Sequence, residues 1–548
     1  MRAAPAVAAT PSADPPPLSV EFVLDGRRVV APRDGVSLLE ALREDLGEKS
    51  AKDGCAPQGQ CGCCTVLVDG SPRVACVTPV RRVAGRSVTT AAGIDAGASE
   101  RLIGSFLRHG ASQCGFCTPG ILCRLSALGP DPDPAKVETA LLAHLCRCTG
   151  WRTIVDAACD QHVPGEPYGP GAGASARATL EGRTPQDVGP DIVVGGGGFA
   201  DDTAPPGCLV AVPDGSGGWS VGETLAEARA ASGKVQGRRS GQALAHPVGL
   251  PEGDWDLRIQ TTWVEPAYLE PDASWCEPGG EPRSPVANGG AFGAKTSSLA
   301  PAAARELADR YRRPVRVVLS REDVVRLGPK RPPLSAGLHA DGSGVVRVAS
   351  APGISEAIAS VAPALLVEEV PVLGPPVSSR ARAAGWAEAA VLLEAARALR
   401  EARVPSGGAA SASAEVAGPG GGWARATVAV DADGWPSGVD VVVRCGPVLD
   451  EVTMRSYATG AAHMALGWVC SEAIAVGEDG VPDDLTIRSF GVLRARDTPP
   501  IRVGIDEDRG AAGEPVNGSD AVFAAVAAAV WIAQGLPFKW PTRRGGHR

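Results

Sequence analysis

CAPQGQCGCC, residues 55–64, sets four cysteines into ten positions of a 548-residue chain. A fifth, Cys76, follows the hairpin-like TVLVDGSPRVAC. Cys55, Cys61, Cys64 and Cys76 have the spacing C-x5-C-x2-C-x11-C. Plant-type [2Fe–2S] loops use C-x4-C-x2-C and a distant fourth Cys, so the first gap here is one residue longer. Gly54, Gly59 and Gly62 let the backbone wrap closely around an inorganic core. N–H groups of such a loop point at the sulfides and offset their negative charge. Cys63 is the spare, read as a small buried residue.

A second group, Cys114, Cys117, Cys146 and Cys148, lies in CGFCTPG and CRCTG. Helical patterns near 99–109, 119–128, 134–144 and 151–160 form a weak pseudo-repeat. Each cysteine pair stands just before a helix start, with Thr118 and Thr149 expected as N-caps. Two helix N-termini converging there would offset the charge of four thiolates around a two-iron core. Four cysteines serve a structural zinc equally well, so the residues alone leave that reading open for either group. Disulfides are the weakest reading, because the chain is large and lacks an export signal.

Composition narrows the class. Hydrophobic residues make up 44% and the formal net charge is −9. No basic block points to nucleic acid. The N-terminal MRAAPAVAATPSADPPP reads as a disordered lead-in over 1–17 rather than a signal peptide. The longest apolar run, Ala521–Ala533, is too short and too Ala-rich to span a bilayer and is expected as a buried helix. The expected location is cytoplasmic, with no membrane partner.

Around the cysteines, two Asp-Gly hairpins and a helix opened by the capping box Ser37–Glu40 predict a compact α+β domain ending near residue 95. A helical unit follows to 162. Residues 163–190 and 405–422 are rich in Gly, Pro, Ala and Ser and are expected as linkers. They separate α/β regions at 191–404 and 423–540.

CAPQGQCGCCTVLVDG, QCGFCTPG and LCRCTGW together resemble the iron–sulfur part of the xanthine dehydrogenase/aldehyde oxidase family of molybdenum hydroxylases. The resemblance covers residues 18–160. It implies a β-grasp [2Fe–2S] ferredoxin-type domain over 18–95 and a four-helix [2Fe–2S]-binding domain over 96–162. Gln113 matches the residue that approaches the pterin of the molybdenum cofactor. The remainder is similar to a shortened molybdopterin-binding subunit. NGGAFGAK (288–295) is similar to the Gly-rich loop whose Phe lies beside the metal, which makes Phe292 and the following Gly293 cofactor-binding candidates. SSRARAAGWAEAA resembles the loop that offers an Arg near molybdenum, at Arg382, and RSYATGAAHMALG resembles a cofactor-binding helix start with Ala461 at a metal-proximal position. GAAGEPVNGSDAVFAA is similar to the family's final motif, whose Glu is the active-site base, and the resemblance implies that role for Glu514. Val264, Tyr457, Met464 and Thr296 depart from the family pattern.

The family implies two [2Fe–2S] clusters, a molybdenum–molybdopterin cofactor, and oxidative hydroxylation of an aldehyde or N-heterocycle, with water as oxygen source. Because no flavin-binding stretch is recognisable, electrons are expected to leave to an FAD-binding subunit or a soluble acceptor. The rival expectation is an electron-transfer subunit whose C-terminal region only docks to a separate molybdenum subunit.

Overall fold

Asp25-Gly26 and Asp69-Gly70 all have positive φ (47° and 80°, then 47° and 75°), the backbone of tight two-residue hairpin turns. They join Val20–Leu24 to Arg27–Ala31 and Thr65–Val68 to Ser71–Val74. Strand Ser87–Thr89 lies between the two hairpins, parallel to the first and antiparallel to the second, which completes a five-stranded sheet. Ser37 Oγ accepts from Glu40 N at 3.1 Å and starts a short helix with Leu38, Leu39 and Leu42 buried. The computed structural model describes residues 19–161, 171–233, 243–283, 290–506 and 513–543. The expected lead-in and residues 163–170 lie outside them.

Helices Ala96–Arg108, Thr118–Ser126, Pro134–Ala140 and Arg152–Cys159 form the helical unit. Asp95 and Asp133 cap the first and third through their side chains. The threonine caps are corrected. Cys117 occupies the N-cap of the second helix and Trp151 that of the fourth. Thr149 Oγ1 instead lies 3.2 Å from Cys146 Sγ, and Thr118 Oγ1 lies 3.1 Å from Ser112 Oγ.

Among the described residues the C-terminal region holds three four-stranded sheets, with strands between Leu209 and Val318, between Leu257 and Val370, and between Ala410 and Ile505. The last is covered by Ser519–Ala533, every residue of which is buried. Among the described residues no helix is long and apolar enough to cross a membrane.

Both expected linkers contain packed structure. ASASAEVA at Ala410–Ala417 is a strand paired in full register with Trp423–Val430, its alternate residues buried. Small side chains here let the apolar helix approach the sheet, and their composition also mimics a linker. Ala172–Gly182 is a helix whose Arg177 and Glu181 pair at 2.9 Å with no side-chain exposure. Glu181 accepts from the backbone N of Gly518 and Ser519, at 3.1 Å and 2.8 Å. It thereby satisfies N–H groups that the first turn of the apolar helix leaves unpaired.

Candidate metal centres and the cavity beside them

All eight candidate ligands are buried. The sulfurs of each group lie in contact with one another. Cys114 Sγ lies 3.7 Å from Cys148 Sγ. Cys117 shares a proton with Cys146; this lowers the Cys146 thiol to about 6, with the Thr149 hydroxyl assisting against burial, and raises Cys117. In the first group Cys55 contacts Cys61 and Cys76, and Cys76 contacts Cys64. Cys55 is thereby held well below the ordinary thiol range while its neighbours are pushed up. Among the described residues no three Cys, His, Asp or Glu side chains gather around a single-ion position. Each group supplies four buried cysteine sulfurs in the spacing of a two-iron loop. The residues fit two-iron clusters.

Backbone N–H groups already point at the sulfurs. Gln58 N donates to Cys55 Sγ at 3.1 Å, and Cys76 N to Cys64 Sγ at 3.5 Å. The two cysteine loops also touch. A side chain at Gly120, in the helix that follows Cys117, would collide with the carbonyl oxygen of Gly62. Glycine there brings the two centres together.

The C-terminal region straps both loops in place. Gln58 Nε2 donates to Glu322 Oε1 at 3.0 Å and to Leu485 O at 2.9 Å, and its Oε1 accepts from Ile487 N. Arg321 donates to Gly54 O at 2.8 Å, and Arg488 Nε to Gln60 O at 2.9 Å. At the second loop, Arg147 sits between Cys146 and Cys148 and clasps Glu472 through two bonds of 2.5 and 2.6 Å. Both side chains are at most 4% exposed. Removing one partner of such a buried pair costs about 3–5 kcal/mol, because the other charge is left unpaired. Gln113 Nε2 donates to Cys148 O and to Ser456 Oγ, at 3.1 and 3.0 Å. Helix Glu451–Cys470 packs so closely on this loop that a side chain at Gly460 would strike Cys148 O.

Phe292 and Arg382 meet. The guanidinium lies 4.1 Å from the ring centroid, and Arg382 N donates to Phe292 O at 3.1 Å. Both residues have positive φ, 43° and 27°. Burial, with Arg183 nearby, lowers the Arg382 pKa to about 9. Arg382 borders a cavity with Arg147, Arg331, Val264, Met464, Trp468 and Phe523. Its volume is about 30 Å³, space for one or two waters. A fused-ring pterin is many times larger, so this cavity as folded does not fit that group. Val264 and Met464, two of the departures from the family pattern, are among those that close it.

Gly293, also at positive φ, follows Phe292, while Asn288 and Gly289 of the same motif lie outside the described residues. Ala461 is fully buried in the long helix. Glu514 is not brought to this cavity. It is exposed on the loop before the last helix. Sequence reasoning missed Arg147, Glu472 and Gln58. The signal for Arg147 was present, since an arginine between two buried ligands demands a buried partner.

A family model for a [2Fe-2S] binding domain matches residues 90–159. The chain is 41% identical over 153 residues to the nicotine 6-hydroxylase small subunit of Paenarthrobacter nicotinovorans, covering 27% of this chain and 91% of that protein. It is 41% identical over 132 residues to the aldehyde oxidoreductase of Megalodesulfovibrio gigas, covering 22% of this chain and 14% of that protein. The solved structure of the aldehyde oxidoreductase from Desulfovibrio gigas superposes with a TM-score of 0.70 at 15% identity, covering 96% of this chain and 99% of that one. That likeness shows a shared multidomain fold across both the cysteine-bearing third and the region that follows. With eight buried sulfurs in the motifs of a two-cluster module, the chain belongs to the xanthine dehydrogenase/aldehyde oxidase family of molybdenum hydroxylases.

Proposed function

We propose that this chain is a two-cluster electron carrier of a molybdenum hydroxylase. The region after residue 190 acts as a frame that grips both clusters, while substrate oxidation takes place on a separate molybdenum-bearing subunit. One contrast carries this reading: the C-terminal region spends buried polar contacts on both cysteine loops, while the cavity beside Arg382 has a volume of about 30 Å³. Each two-iron group, when bound, supplies one-electron storage. The chain's own residues bury the sulfurs, direct Gln58 N and Cys76 N at them, and hold the two loops in contact at Gly120. Burial and rigid straps keep reorganisation small when charge moves. The Cys114–Cys148 centre takes up electrons from that separate subunit. The Cys55–Cys76 centre passes electrons on to an FAD-binding subunit or a soluble acceptor.

A second reading, oxidative hydroxylation by this chain with Glu514 as base and an aldehyde or N-heterocycle as substrate, is favoured by one observation. Phe292 and Arg382 both hold left-handed backbone conformations and stack on each other. Such conformations concentrate at functional sites. Stepwise reduction of the purified chain separates the readings. Dithionite should bleach the visible absorption with uptake of roughly two electrons per chain, one per cluster. Aldehydes and N-heterocycles alone should leave the oxidised spectrum unchanged. Bleaching by such a substrate, without a second subunit, would make the chain itself the catalyst.

A further inference from the structure

Arg147 is the residue between two ligands of the second centre, and its charge is cancelled across the domain boundary by Glu472. Resting on the reading of this chain as a cluster carrier, we propose that the Arg147–Glu472 pair is a positioning device that sets the reduction potential of the Cys114/Cys117/Cys146/Cys148 centre. Reduction adds one negative charge to the centre. A buried positive charge nearby favours the reduced form and a buried negative charge disfavours it, with little screening in a dry interior. Joined by two hydrogen bonds, the two side chains present a dipole rather than a net charge.

The pair is built into the cysteine loop itself, and other titratable groups lie around it. His463, buried beside Arg147, is held neutral by burial, with its pKa lowered to about 3. Tyr457 near Cys148 and Cys114 donates its hydroxyl to Gln186 Oε1 at 2.5 Å and keeps its proton. Arg382 is a further positive group acting on Cys148, with Asp520 3.8 Å from its Nε, and it stays the same in every variant compared below. Glu472 has a second consequence. It belongs to the C-terminal region, so the second centre reaches its working potential only when that region is folded against the helical unit. Arg147 Nε donates to Pro266 O at 2.9 Å, which fixes the guanidinium from the same side.

The test is redox titration of the full chain by electron paramagnetic resonance, which resolves the two centres. Glu472→Gln leaves Arg147 uncompensated and should raise the potential of the second centre. Arg147→Gln leaves Glu472 uncompensated and should lower it. Each shift should reach at least a tenfold change in the oxidised-to-reduced ratio, about 59 mV for one electron. The double variant Arg147→Gln/Glu472→Gln carries neither charge and should return the potential towards that of the parent. The Cys55/Cys61/Cys64/Cys76 centre serves as the internal control and should not move. A merely structural role would shift both single variants in one direction, and the double variant furthest. That result, or no shift in Glu472→Gln, overturns the proposal. If either single variant loses its second centre, the double variant decides. An intact centre at the parental potential supports the charge balance, and a displaced or missing one overturns it.

Discussion

The N-terminal third and the C-terminal two-thirds of this chain have diverged in different ways. The first keeps 41% identity with a nicotine 6-hydroxylase small subunit over 153 residues. The whole chain keeps the aldehyde oxidoreductase fold at only 15% identity. A cluster tolerates little change, because its ligands must be cysteines at fixed spacing and its loop must pack without side chains at points such as Gly120. A fold tolerates far more, provided that total volume and polar pairing are kept. Here the second region retains layers and helices while Val264, Met464, Trp468 and Phe523 close around a cavity of about 30 Å³.

The comparison can be broken most sharply at the cysteines. Cys148→Ser should remove the second cluster and reduce bound iron from about four to about two atoms per chain, measured by elemental analysis. Unchanged iron would disconnect Cys148 from the cluster. In the C-terminal region, Phe523→Ala removes a ring that stacks on Trp468 at 5.0 Å and underlies Arg331 at 5.1 Å. If the closed cavity is ordinary core, the loss should be about 3–5 kcal/mol in denaturant unfolding. A neutral result would mean that the space normally holds something else.

Gln58→Ala tests the straps between the regions. It removes three bonds, to Glu322, Leu485 and Ile487, and should cost about 1–3 kcal/mol and speed bleaching of the first cluster in air. Unaltered bleaching would show that the frame does not protect the centre.

Acid should weaken both regions together. Burial lowers His144 and His463 from the usual 6.5 to about 3, so both stay neutral in the fold. Groups depressed in this way contribute fully above pH 6.5 and lose that contribution as pH falls from 6.5 towards 3. Thermal melts at pH 7 and pH 5 should show the loss, and His463→Gln should flatten it. The smallest effect belongs to Glu514→Ala. At an exposed loop position it should change stability by less than about 0.5 kcal/mol, and electron transfer to an artificial acceptor should be unaffected.

How far the residues were readable follows the same division. The cysteine motifs, both Asp-Gly hairpins and the buried helix at 519–533 were legible, because each is dictated by local chemistry: ligand spacing, positive φ, or an unbroken apolar run. Ala410–Ala417 was not. Alternating Ala and Ser satisfies a linker's composition as well as a tightly covered strand's pattern, and only the apolar helix lying over it decides. Arg177 and Glu181 were hidden for a related reason, since their value lies in capping a helix more than three hundred residues away. Glu514 stands in a recognisable motif, yet its placement depends on how the chain before it packs. The motif identifies the residue without bringing it to Phe292.

Metal and pterin content of the purified full-length chain tests the central claim most directly. The account predicts about four irons per chain and neither molybdenum nor pterin. One molybdenum and one pterin per chain, bound stoichiometrically and retained through purification, would contradict it and return catalysis to this subunit.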